Sequence, residues 1–175
     1  MSRKFLVLFI VLLPVFLGAE TFQVLTQNED ELIVKFTLPE FELQNIKNKN
    51  GSYHRIVCEG AIGSTRAGYP QLPYFTEIVG LPVDGNIDIQ IIDKQQQSNK
   101  NINIYPVEKL VETDKDLYYE FYKNKKAYKS SKNYPAELLE KGKKAFLKDR
   151  NFTGFRVHPF QYKAASKELV ITKEI

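Results

Sequence analysis

Phe41-Glu42-Leu43-Gln44-Asn45-Ile46 alternates apolar and polar side chains without a break, Asn50-Gly51 marks a turn after it, and Tyr53-His54-Arg55-Ile56-Val57-Cys58 follows. A period of two places alternate side chains on opposite faces of an extended chain, so this stretch predicts strands. The same grammar recurs outward in both directions. Thr21 to Leu25 and Leu32 to Thr37, split by the polar Gln27 to Asp30, predict an opening hairpin. Phe75 to Leu81 and Ile87 to Ile92 flank a turn at Pro82-Val83-Asp84-Gly85. Ile102 to Tyr105 is a short run stopped by Pro106, and Phe155 to His158 and Leu169 to Ile171 close the pattern. Many short strands between turn signals predict an all-β antiparallel sandwich. Ile33, Phe36, Ile56, Phe75, Ile78, Ile89, Ile91, Val157 and Val170 are its expected core.

One segment breaks the pattern. Pro135 to Asp149 is rich in helix formers, with Pro135 suited to a first turn and Leu138, Leu139 and Phe146 spaced for one face. Gly142 interrupts it, so at most one short helix is expected, over Pro135 to Lys141. Asp114 to Ser131, dense in Tyr and Lys without periodicity, reads as a long excursion from the strands.

The N-terminus predicts export. Ser2-Arg3-Lys4 is a basic start, Phe5 to Leu17 is almost wholly apolar, and Gly18-Ala19 supplies small residues before Glu20. That is the layout of a secretory signal peptide cut between Ala19 and Glu20, and the apolar run is short for a membrane span. Met1 to Ala19 is therefore assigned as signal and Glu20 to Ile175 as one domain, secreted or periplasmic, with no stable membrane insertion after signal removal. No Cys follows the apolar run to accept a lipid.

Charge is uneven within that domain. Lys115 to Arg150 holds 11 basic and 5 acidic residues, against 12 and 16 in the rest from Glu20 on. A basic face or loop within a nearly neutral chain reads as a solvated surface or a partner site, and it lacks the broad field that nucleic acid demands. Catalytic and metal-binding patterns are missing from the sequence. The single Cys58 rules out a Cys-rich zinc site, and no phosphate loop or nucleophile elbow is present. His54 and Cys58, four apart in a strand, stand about 13 Å from each other at about 3.3 Å per residue. His158, before Pro159, reads as a packed or half-exposed histidine rather than a general base. The chain is not read as an enzyme, and no cofactor is expected.

Two segments carry more specific information. The first is Gly68-Tyr69-Pro70-Gln71-Leu72-Pro73-Tyr74, leading into a strand that ends at Leu81-Pro82. The second is Arg156-Val157-His158-Pro159-Phe160-Gln161-Tyr162, a turn, and a strand containing Leu169. Together they resemble the amino-terminal propeptide of gingipain-type, caspase-like cysteine peptidases. The matching positions are Gly68, Pro70, Leu72, Pro73, Leu81, Pro82, Arg156, Pro159, Gln161, Tyr162 and Leu169. The turn Lys163 to Lys167 departs from the Asn-Pro and Gly more usual there.

The resemblance implies a secreted β-sandwich that assists folding of a peptidase and holds it inactive until proteolysis. It assigns the catalytic His and Cys to a separate downstream domain, so neither Cys58 nor His158 inherits a catalytic role. It also implies a cognate gingipain-type cysteine peptidase domain as partner, met by a basic side chain in the specificity pocket. Lys123, Lys125, Lys126, Lys129 and Lys132, set among tyrosines, are the candidates. The alternative reading is an extracellular binding module for carbohydrate or a surface partner, based on the ten Tyr and twelve Phe.

Overall fold

A computed structural model describes residues 20–28, 31–81, 88–148 and 150–175. The signal segment and its cleavage at Ala19, and the turn beginning at Pro82, lie outside the described residues. Among the described residues twelve strands run in the order β1 (Phe22–Gln27), β2 (Leu32–Phe36), β3 (Phe41–Asn48), β4 (Gly51–Cys58), β5 (Phe75–Leu81), β6 (Gln95–Asn99), β7 (Lys109–Glu112), β8 (Leu117–Glu120), β9 (Leu139–Leu147), β10 (Arg150–Val157), β11 (Phe160–Lys163) and β12 (Glu168–Glu174). All named pairings are antiparallel, and no α-helix forms among the described residues. The all-β reading holds.

The quoted stretch and its neighbour form the β3–β4 hairpin, in register from Phe41↔Cys58 to Asn48↔Gly51. Gly51 has φ 125, a conformation that favours glycine and closes the turn. β5–β10–β9 and β11–β12–β6 are the two three-stranded sheets, and β1–β2 and β7–β8 are further ribbons. β10 passes into β11 through His158-Pro159, so one continuous run of chain joins the two larger sheets. Ile175 exchanges both backbone bonds with Phe36, at 3.0 and 3.1 Å, which ties the last strand to β2.

Two apolar clusters fill the spaces between these layers. Ile56, Leu72, Ile104, Phe160, Tyr162, Leu169 and Ile171 form the larger one, with Phe41 edge-on to Phe160 at 5.0 Å. Phe36, Phe75 and Val157 form the second, joined by Phe22 and Phe155. Complete burial of such side chains contributes about 1.5–3 kcal/mol each.

Some sequence expectations fail for identifiable reasons. Ile78 is 68% exposed and Ile91 38% exposed. Phe75 and Ile78 are three apart in one strand, so a strand that buries Phe75 turns Ile78 outward. Ile33, Ile89 and Val170 are half-buried. Residues 88–92 carry no strand; the next one is the polar β6, Gln95–Asn99, which has every residue exposed. Its order comes from β12, including bonds from Gln96 Nε2 to Thr172 Oγ1 at 2.8 Å and Gln95 Nε2 to Glu174 Oε2 at 3.1 Å.

The short helix over Pro135 to Lys141 does not form. Residues 135–138 bend, and Leu139 begins β9. Helix propensity is a weak prior, overridden here by a seven-pair register with β10 and a bulge between Thr153 and Phe155. At that bulge a Cβ on Gly142 would stand 2.8 Å from the Gly154 carbonyl oxygen, so the glycine permits close strand approach rather than weakening a helix.

Candidate functional site

The lysine-rich excursion is an ordered structure with two anchors. It starts from the β7–β8 ribbon, whose tip is closed by Thr113 N–H donating to the Asp116 carbonyl at 2.9 Å and Asp116 N–H to Thr113 Oγ1 at 3.0 Å. After β8 the chain meets the Gly68 segment. Gly68 N–H donates to the Val107 carbonyl at 2.7 Å, and the Gly68 carbonyl accepts from Asn124 N–H at 3.0 Å. Gln71 N–H donates to the Tyr105 carbonyl at 2.9 Å, and Pro70 forms a bridge with Pro106. Gly68 has φ 79, and Tyr122 lies against it: a Cβ there would be 2.5 Å from Tyr122 Cε1 and 3.1 Å from the Asn124 nitrogen. Pro70, Leu72 and Pro73 are buried, and Leu72 N–H is held by Ser64 Oγ at 3.1 Å. Leu81 is half-buried at the end of β5.

The second motif grips the other end. Tyr134 and Tyr162 exchange both backbone bonds, at 3.0 and 2.8 Å. Gln161 Nε2 donates to the carbonyls of Pro135 at 2.9 Å and Ala136 at 3.2 Å. Ala165 N–H donates to the Ser130 carbonyl at 3.0 Å, and His158 N–H to the Leu138 carbonyl at 2.8 Å. Pro159 and Leu169 are fully buried beside them, and the Tyr162 hydroxyl donates to the Ile102 carbonyl at 2.7 Å. Arg156 is exposed, 3.6 Å from Glu140 Oε1, with its guanidinium over the Tyr74 ring. Thus the two motifs, distant in sequence, clamp the two ends of one loop.

Between the clamps the five lysines differ. Lys123 Nζ sits 4.3 Å from the centre of the Tyr128 ring and 5.2 Å from that of Tyr53. Burial, and then the nearby Lys167, holds its ammonium below the usual lysine range. Lys125, Lys126, Lys129 and Lys132 are exposed. Asn124 Oδ1 accepts from the backbone N–H groups of Lys126 at 3.0 Å and Ala127 at 3.1 Å, leading into a single 3-10 turn at Ala127–Lys129. This side-chain-locked turn, of the kind Asn favours, displays Lys125 and Lys126 to solvent. Tyr128 pins the turn from below: its hydroxyl donates to the Ile104 carbonyl at 2.8 Å, and burial drives its pKa far up. Sequence reading missed Asn124 and Tyr128 as anchors, because their partners lie across the fold.

The groups considered for chemistry do other things. The Cys58 thiol donates to the Glu40 carbonyl at 3.6 Å, and burial raises its pKa. His54 Nδ1 accepts from Asn103 N–H at 3.2 Å, and His158 Nε2 lies 3.2 Å from Glu140 Oε2. Among the described residues no group of three His, Cys, Asp or Glu could hold a metal, and no helix is long and apolar enough to cross a membrane.

Comparison with known proteins places this architecture. The family model Propeptide_C25 matches residues 18–175. The chain belongs to the Propeptide_C25 family. A chain of the complex of Porphyromonas gingivalis RgpB pro- and mature domains is similar with a TM-score of 0.78 and 17% identity, covering 89% of this chain and 82% of that one. A chain from the structure addressing zymogenic latency of gingipain K, also from Porphyromonas gingivalis, is similar with a TM-score of 0.65 and 18% identity, covering 81% of each. At these identities the likeness is one of fold. No curated protein sequence matches. The chain is therefore a gingipain-type propeptide module, and among the motif residues Gly68, Gln161 and Tyr162 make the bonds that hold the ends of the loop.

Proposed function

We propose that this propeptide is exported, binds a cognate gingipain-type peptidase domain, assists its folding and holds it inactive, with no catalytic activity of its own. Family membership supports the partner class, and the clamped loop supports the mode of action. A loop fixed at both ends by backbone pairing loses little further freedom on binding, which reduces the entropic cost of docking. One lysine of the set Lys123, Lys125, Lys126, Lys129 and Lys132 enters an acidic specificity pocket. The observation that carries this is the Asn124-locked turn, which leaves Lys125 and Lys126 solvent-exposed while Lys123 is committed to two aromatic rings.

Removing the inserted lysine leaves the pocket acid buried and unpaired, a loss of about 2–5 kcal/mol. The test is inhibition of the purified peptidase by the module, with each lysine changed singly to Ala. One substitution, foremost Lys125→Ala or Lys126→Ala, is expected to weaken inhibition by more than about tenfold. Inhibition that survives all five unchanged refutes the pocket mechanism and leaves the propeptide role standing. The aromatic residues that motivated a carbohydrate-binding reading are largely committed inside the fold, as in the Tyr53, Tyr105 and Phe121 group, so no observation favours that alternative.

A further inference from the structure

β5–β10–β9 is an antiparallel sheet with one face turned inward, where Phe75 and Val157, directly paired, join the second core cluster. The outer face of such a sheet is ordinarily polar. Here it is not. The register places Ile78 opposite Gly154, and Phe152 opposite both Gly80 and Ala145, so these five residues share the outer face. Ile78 is 68% exposed, and Ala145, lining the same depression, is exposed as well. The depression has a volume of about 420 Å³. A Cβ at Gly80 would meet nothing within 4 Å, so no packing in the free module calls for glycine there. A flat, side-chain-poor floor with apolar walls fits a surface that another body approaches closely.

Charge narrows the choice of that body. From Leu139 to Arg150 the bordering hairpin carries five basic and two acidic residues. A second copy would bring the same positive rim against it. An apolar patch ringed by carboxylates would complement it.

We propose that this outer face is a docking surface for the peptidase domain, seating an acid-rimmed apolar patch of that domain beside the contact made by the lysine loop. The proposal rests on the propeptide reading and adds a second contact to it. Ile78 and Phe152 supply the apolar centre, Gly80 and Gly154 the close approach, and Lys143 part of the charged rim.

The experiment measures binding of the module to the catalytically inactivated cognate peptidase domain by calorimetry, using wild type, the double variant Ile78→Asn/Ala145→Asn, and Lys143→Glu. Because both replaced apolar side chains are exposed, the double variant is expected to keep its urea midpoint while its affinity falls by about tenfold or more. Lys143→Glu is expected to weaken binding and flatten its salt dependence. Affinities within about twofold of wild type for both variants overturn the proposal, while wild-type inhibition keeps the propeptide reading intact. Absence of wild-type binding overturns both. Wild-type dimers that the double variant dissolves would make the occupant a second copy. Wild-type flotation with phosphatidylglycerol vesicles, abolished in the double variant while peptidase binding is unchanged, would make it a membrane surface; either result overturns the proposal.

Discussion

Replacing Gly68 by Ala tests the clamp on the lysine loop at its tightest point. Gly68 has φ 79, and a Cβ would lie 2.5 Å from Tyr122 Cε1 and 3.1 Å from the Asn124 nitrogen. Tyr122 is 44% exposed and can swing away at small cost. The Asn124 backbone cannot, because its N–H is bonded to the Gly68 carbonyl at 3.0 Å. A left-handed non-glycine residue costs about 1–2 kcal/mol. Weakening the Asn124 bond adds about 0.5–1.5 kcal/mol. The stiffer unfolded chain returns about 0.4–1 kcal/mol. The net is a destabilisation of about 2 kcal/mol, which at a urea m-value of about 2 kcal/mol/M lowers the unfolding midpoint by about 1 M. Gly63→Ala is the control, since a Cβ there meets nothing within 4 Å. Circular dichroism during urea unfolding reads both, and amide exchange at Asn124 and Tyr128 should speed up in Gly68→Ala alone. A Gly68→Ala midpoint indistinguishable from that of Gly63→Ala would refute the clamp.

Further expectations address the strand assignment, the buried hydroxyls and the pH response. Gly142→Ala should destabilise by about 1–3 kcal/mol in urea unfolding through its contact with the Gly154 carbonyl oxygen, whereas in a helix the same change would stabilise by about 1 kcal/mol. Tyr128→Phe strands the Ile104 carbonyl and should cost about 1–3 kcal/mol, with faster exchange across the 3-10 turn as the accompanying sign. Burial, followed by the Glu108 hydrogen bond, pushes Tyr105 up to about 12, and burial also raises Tyr53, Tyr128, Tyr134 and Tyr162. An unfolded tyrosine ionises near about 10, so above that pH the unfolded chain releases protons that the folded chain keeps. Stability should thus be fully present below about pH 10 and fall as pH rises towards 12, against the smaller opposite pull of Lys123, and thermal melts across that window check the sign.

Much of the fold was legible because local pattern and tertiary role coincide. Phe41 to Cys58 alternates, turns at a glycine and forms a hairpin; Phe36, Phe75 and Val157 lie on inward faces and are buried. Pro135 to Lys141 misled because its helix formers are judged one residue at a time, while β10 supplies a partner that local propensity cannot register. β6 was invisible for the opposite reason: Gln95 to Asn99 has no apolar signal, and its order is borrowed from β12. Ile78 shows that even a correct strand needs its phase fixed by one known inward residue. The motif residues Gly68, Gln161 and Tyr162 were visible as a family signature, but their job was not. It appears only when Gly68 meets Asn124, and Tyr162 meets Tyr134, across the fold.

The central claim is that this propeptide silences a gingipain-type peptidase through a basic, clamped loop. The most direct measurement is the inhibition constant of the purified wild-type module against its cognate peptidase domain at low and physiological ionic strength, where the Debye length shortens to about 8 Å. The account predicts stoichiometric inhibition that weakens with salt, because the Lys115 to Arg150 region carries 11 basic against 5 acidic residues. Full peptidase activity at saturating module concentration, at both ionic strengths, would contradict it.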